Sequence, residues 1–141
     1  MLQTLVHVLP GLVGLVVAGV VVLWLGGRDH KTVMIAVLVC WLGATAGQVL
    51  TGRLIAPLVL GDIVFAIWLI WFVFRQPGWW VWAIFAFEAA RLVLHASQFD
   101  EAWLPYRTLN NTLSLGGLAV LAAAAVLDWR ARRRGPPPEG A

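Results

Sequence analysis

Polar residues divide the chain into five long apolar stretches, about Leu5 to Leu25, Thr32 to Leu50, Leu54 to Phe74, Trp79 to Ser97 and Asn111 to Trp129. Each has roughly 18–21 residues, the length an α-helix needs to cross ~30 Å of hydrocarbon at 1.5 Å per residue. Valine and isoleucine abound in them, which in water would favour strands. In lipid a backbone must satisfy its own hydrogen bonds, so helices fit and open sheets do not. The predicted fold is all-α: an integral membrane helix bundle of about five transmembrane helices, or four if the first were cleaved or the fourth re-entrant. The predicted connections are Gly26 to Lys31, Thr51 to Arg53, Arg75 to Gly78 and Gln98 to Asn110, with Pro77-Gly78 as a turn signal. Loops this short set neighbouring helices antiparallel and leave no room for a soluble domain. Pro57 falls in the first turn of the third helix, where its missing N–H costs little, and Pro10 lies early in the first, where it can bend it. Residues 1–130 thus read as one transmembrane domain, and 131–141 as a basic, then Pro/Gly-rich, disordered cytoplasmic tail.

Composition supports lipid as the outer solvent. The chain is 61% hydrophobic and only 12% charged, with mean hydropathy +0.85, against about half apolar and a quarter charged in soluble domains. The first stretch lacks the basic leader and small-residue cleavage site of a signal peptide, and reads as a retained helix. Placement of Lys and Arg then orients the bundle. With the amino terminus outside, the inner side collects Arg28, Lys31, Arg75, Arg130, Arg132, Arg133 and Arg134, against Arg53 and Arg107 outside. This bias puts the carboxyl terminus in the cytoplasm. The net charge of +3 therefore reads as topology and not as nucleic-acid binding. Trp24, Trp79, Trp80, Trp82, Trp103 and Trp129 lie near segment ends, as in an interfacial aromatic belt.

Small residues mark packing faces. Gly43 and Gly47 form a GxxxG pattern in the second helix, which lets two backbones approach closely, within the chain or between protomers. Gly116-Gly117 and Ala122 to Ala125 offer another smooth face in the fifth helix. The expected partners are the lipid bilayer and a second copy or a larger membrane complex.

The chemistry lies in polar residues at membrane depth. Asp62 sits roughly 12 Å into the third helix at 1.5 Å per residue. Glu88, Arg91 and His95 of the fourth fall within about 60° of one another at ~100° per residue, so they share one face. Gln48, Asn110, Asn111, Tyr106 and His7 join them on the predicted outer side, while the inner half is nearly pure hydrocarbon and tryptophan. Charges at such depth usually face a protein interior. Three readings follow: a structural network in which Asp62 and Glu88 neutralise Arg91, a polar cavity open to the outside that binds a proton, ion or small polar ligand, or a surface that meets a partner.

Known enzyme signatures are absent, so no catalytic residues, no metal and no cofactor are expected. The lone Cys40 excludes an internal disulfide and a Cys-based metal cluster. His7, His30 and His95 fall on separate segments, with His30 expected in an inner loop. In layout the chain resembles a phage holin, being small, with an outside amino terminus and the basic tail Arg130 to Arg134. From Gly61 onward, the order Asp62, Trp79, His95, Tyr106 and Asn110 resembles uncharacterised small bacterial polytopic inner-membrane proteins. That resemblance implies a bacterial inner-membrane location and no particular activity. The expected function is a transport, sensing or accessory membrane subunit, with a holin-like lysis protein as the alternative.

Overall fold

The computed structural model describes residues 2–52, 55–97 and 103–134. Over these the chain is all-α, with five helices: α1 (Leu2–Leu25), α2 (Arg28–Thr51), α3 (Ile55–Arg75), α4 (Trp79–Ser97) and α5 (Trp103–Arg134). Arg53 and residues 135–141, to which the sequence assigned an outer charge and a disordered tail, lie outside the described residues, as do the side chains of His7, Trp103 and Arg107.

Local chemistry sets the helix ends. Gly26 and Gly27 alone join α1 to α2, so α2 begins at Arg28 and not at Thr32. The Gly26 amide donates to Val22 O at 2.9 Å, and a Cβ on Gly26 would sit 3.0 Å from the His30 Cβ. Only glycines allow so tight a reversal. His30, expected in a loop, consequently lies in the first turn of α2 and is buried. At the other end of α2, Gly52 adopts φ 64°, and its amide donates to Gln48 O at 3.0 Å. This left-handed cap favours glycine. The largest departure is α5, which starts at Trp103 and not at Asn111. Pro105 falls in its first turn, where a proline initiates a helix rather than breaking one. α5 also runs through Arg134, so Ala131 to Arg134 are helical rather than part of a disordered tail. Pro10 lies within the unbroken span of α1. The hydroxyls of Thr32, Thr45, Thr51 and Thr112 donate to the carbonyl four residues back, which hides their polarity within the helices.

The helices close into a ring in chain order. α1 packs mainly on α5 and only lightly on α2, α5 also packs on α4, and α3 packs on both α2 and α4. At the end of the bundle that carries the α1–α2 and α3–α4 connections, the ring is solid. Val22, Val33, Met34, Leu69, Val81 and Leu121 are fully buried there. At the opposite end the helices surround a cavity of about 450 Å³.

The outside of the ring is apolar. Val16, Val39, Val49, Ile67, Phe74 and Val93 are among the large hydrophobic side chains that stand exposed around it. Soluble monomers rarely present so continuous an apolar surface. Three segments are long and apolar enough to cross a membrane, Arg28–Thr51, Ala56–Arg75 and Thr108–Arg134, and Leu9–Leu25 is a shorter apolar helix. α4 is outside that group and carries the charged face.

Close packing uses small residues, though not in the predicted pairing. A Cβ on Gly47 would lie 2.9 Å from the Pro57 Cβ, and one on Gly61 would meet the Ala44 Cβ at 3.3 Å. A Cβ on Gly43 would meet nothing within 4 Å. The α2–α3 seam therefore runs through Ala44 and Gly47. Gly43 lies about 40° from Gly47 but about 100° from Ala44 around the helix, at the edge of that face, and makes no close approach to α3.

Candidate functional site: a buried charge network beside a cavity

Arg91 is the hub. The helical spacing places it one turn after Glu88, and Nη1 donates to Glu88 Oε2 at 2.9 Å. Nη2 donates to Asp62 Oδ1 of α3 at 2.8 Å, and Nε donates to Asn110 Oδ1 of α5 at 3.2 Å. One guanidinium thus ties three helices together through all three of its nitrogens, a use suited to its planar fork of donors. One turn further along α4, His95 Nε2 lies 2.6 Å from Asp62 Oδ2. The other ring nitrogen, Nδ1, bonds the Tyr106 hydroxyl of α5. A neutral His95 that donates from Nε2 to the carboxylate and accepts from Tyr106 at Nδ1 satisfies every group in this chain. Tyr106, His95, Asp62, Arg91 and Glu88 form one continuous network.

All of it is shielded. Asp62, Glu88, His95 and Tyr106 are buried, and Arg91 is nearly so. With His95 neutral, two carboxylates face one guanidinium, so one negative charge is in excess. The geometry locates it. Both Asp62 oxygens are bonded, whereas Glu88 Oε1 is buried and accepts no hydrogen bond from the described residues. An uncompensated buried carboxylate is costly, and a proton or a cation relieves that cost.

Glu88 also lines the cavity, together with Asp62, Arg91, Gln48, Asn110 and Asn111. Of the polar candidates, Asp62, Glu88, Arg91, Gln48, Asn110, Asn111 and Tyr106 border this one space, whereas His95 is held by Asp62 and Tyr106 and does not line it. Gln48 reaches it from α2. Gly43 and Gly47, the packing candidates, are not part of it. Most of the remaining wall is apolar, with Leu15, Phe65, Phe87 and Leu118 among its residues.

A second polar group was missed in the sequence. At the solid end, Arg132 Nη1 donates to Asp128 Oδ2 at 2.7 Å and Nη2 donates to Leu25 O at 2.7 Å, capping α1 from α5. The buried His30 stacks on Trp80 with ring centroids 4.5 Å apart, and its Nδ1 is 4.0 Å from Asp128. Trp80 therefore turns inward rather than joining the belt, and this half of the bundle is not free of ionisable groups. The i, i+4 spacing of Asp128 and Arg132 was the available signal. Among the described residues, no group of three or more His, Cys, Asp or Glu side chains is arranged to hold a metal ion. Comparison of the chain with known protein families, with curated proteins and with solved structures finds no match.

Proposed function

We propose that the chain is a multi-pass protein of the bacterial inner membrane, amino terminus outside and carboxyl terminus cytoplasmic, whose outer-half cavity binds a proton or cation at Glu88. It would serve as a small transport, sensing or accessory membrane subunit. The apolar exterior supports the membrane assignment, and the Lys and Arg placement supports the orientation. The observation that carries the functional reading is Glu88 Oε1, a buried carboxylate atom without a hydrogen-bond partner among the described residues, on a side chain that lines the cavity.

Infrared difference spectroscopy on the reconstituted protein across a pH titration tests it. A protonated-carboxyl band that is removed by Glu88→Gln and kept in Glu101→Gln is the expected result. A spectrum insensitive to Glu88→Gln contradicts the reading. Orientation is tested separately, by reporters fused after Ala141. A cytoplasm-only reporter should be active there, and activity of a periplasm-only reporter would invert the topology.

The holin-like alternative has less support. The half of the bundle packed by Val22, Met34, Leu69 and Leu121 is filled by fully buried apolar side chains, which disfavours a water path along the ring axis. Lysis would then need a pore between copies. Abrupt loss of membrane potential on induced expression would favour it.

A further inference from the structure

The cavity reaches the outside of the ring on one side. Leu12 of α1 and Trp41 of α2 both line it, and each is 39% exposed. Thr45, one turn beyond Trp41, also lines it and is exposed. The rim therefore lies between α1 and α2, the lightly packed neighbours of the ring. In the membrane this gap faces lipid. Gly11 of α1 also lines the cavity, and among the described residues a Cβ there would meet only Asn111 Oδ1 of α5, at 3.8 Å.

Three features define what the cavity suits. The carboxylate atom without a partner is Glu88 Oε1, because Oε2 is taken by Arg91; Oε1 is itself buried, so an occupant meets it when the Glu88 carboxylate turns toward the cavity it borders. Two carboxylates, Asp62 and Glu88, share the one guanidinium of Arg91. The wall is mainly apolar and includes Trp41, Phe65 and Phe87, whose ring faces attract cations. A volume of about 450 Å³ falls in the range of small-molecule sites. Anionic heads are disfavoured, since Arg91 is already committed to Asp62, Glu88 and Asn110.

From these we infer that the cavity takes an amphipathic primary amine, which enters from the bilayer between α1 and α2. Its ammonium donates to Glu88 Oε1 and its apolar body lies against Leu12, Leu15 and the aromatic wall. This rests on the reading of Glu88 as a proton or cation site and names its ligand class. Amine and proton then compete for one carboxylate, so binding of the amine displaces the proton.

The test uses the full chain in phosphatidylcholine nanodiscs, titrated calorimetrically with 4-phenylbutylamine, 4-phenylbutanol, 4-phenylbutyrate and methylamine, with empty discs as the partitioning blank. Saturable one-to-one binding of 4-phenylbutylamine alone is expected. Glu88→Gln, which keeps the side chain's shape, should weaken it at least about tenfold. Gly11→Phe, which fills part of the cavity from its α1 wall and replaces no member of the charge network, should weaken or slow binding while the pH-dependent infrared band of Glu88 persists. Equal binding of the alcohol, equal binding of methylamine, or indifference to both substitutions overturns the inference. If 4-phenylbutylamine fails to bind while the Glu88 band titrates, the amine is wrong and the proton site stands. If the band is absent as well, both fall. Phosphatidylethanolamine added to the discs separates two sources of the head group: displacement of the probe assigns it to a lipid, persistence to a free amine.

Discussion

Arg91 holds two carboxylates, and removing it leaves both in an apolar interior. Arg91→Leu should therefore destabilise the bundle by about 3–5 kcal/mol, the usual cost of stranding a buried charge. Asp62→Asn should do less harm, since its amide oxygen can still accept from Arg91 and the excess negative charge disappears. Steric-trapping unfolding in bicelles would measure both, and a smaller loss for Arg91→Leu than for Asp62→Asn would refute this account of the network. Tyr106→Phe removes one neutral hydrogen bond to His95 and should cost about 0.5–1.5 kcal/mol. Its sharper readout is the His95 ring nitrogen resonances: losing the Tyr106 donor should shift Nδ1 and leave Nε2, bonded to Asp62, nearly unchanged. Much of this site was legible in advance. The i, i+3, i+7 spacing of Glu88, Arg91 and His95 places them on one face whatever the tertiary structure. That Asp62 meets that face, and that Tyr106 reaches His95, depends on how α3 and α5 rotate about their axes. No local pattern encodes that rotation.

At the level of helices, the seam between α2 and α3 separates two glycines that look equivalent in sequence. Gly47→Leu drives a side chain into Pro57 and should cost about 1–3 kcal/mol through overpacking. Gly43→Leu adds a side chain to open space and should change stability by no more than about 0.5 kcal/mol. Unfolding of the two variants side by side would check this, and equal losses would mean that Gly43 also packs, against a second copy of the chain. A spacing pattern marks a smooth strip on a helix but not which neighbour finds it. Pro57 and Gly61 of α3 select Ala44 and Gly47. Helix ends show the same limit. Pro105 and the polar run that follows it have the composition of a loop, yet α5 is already formed there because proline suits a first helical turn. Across the packed end, Arg132 links α5 to the Leu25 carbonyl at the end of α1. Because both partners of the Asp128–Arg132 pair are about half exposed, Asp128→Ala should cost no more than about 1 kcal/mol, seen mainly as faster amide exchange near Leu25.

Taken as a whole, the molecule inverts the usual distribution of polarity. Along the middle of the helices three charged groups, Asp62, Glu88 and Arg91, lie inside, while Val16, Val39, Ile67 and Phe74 face out. That arrangement is stable when the surrounding solvent is hydrocarbon, in which exposed valine costs nothing and exposed arginine costs several kcal/mol. The composition alone made this inversion readable, because a chain with so few charges has too little polar surface to cover itself. What composition could not convey is the division of the interior into a solid half and a hollow half. That division follows from side-chain size: Met34, Leu69 and Leu121 fill the ring near the packed end, while Gly11, Ala44 and Gly117 line it where the cavity opens. Lipid as solvent is the claim on which site, orientation and ligand entry all depend. Spin labels at single cysteines replacing Val17 and Val64, in a Cys40→Ala background reconstituted into vesicles, test it most directly through collisions with oxygen and with a water-soluble nickel chelate. The account predicts high oxygen and low nickel accessibility at both positions. Dominant nickel accessibility at either would mean that water, and not hydrocarbon, bathes that face.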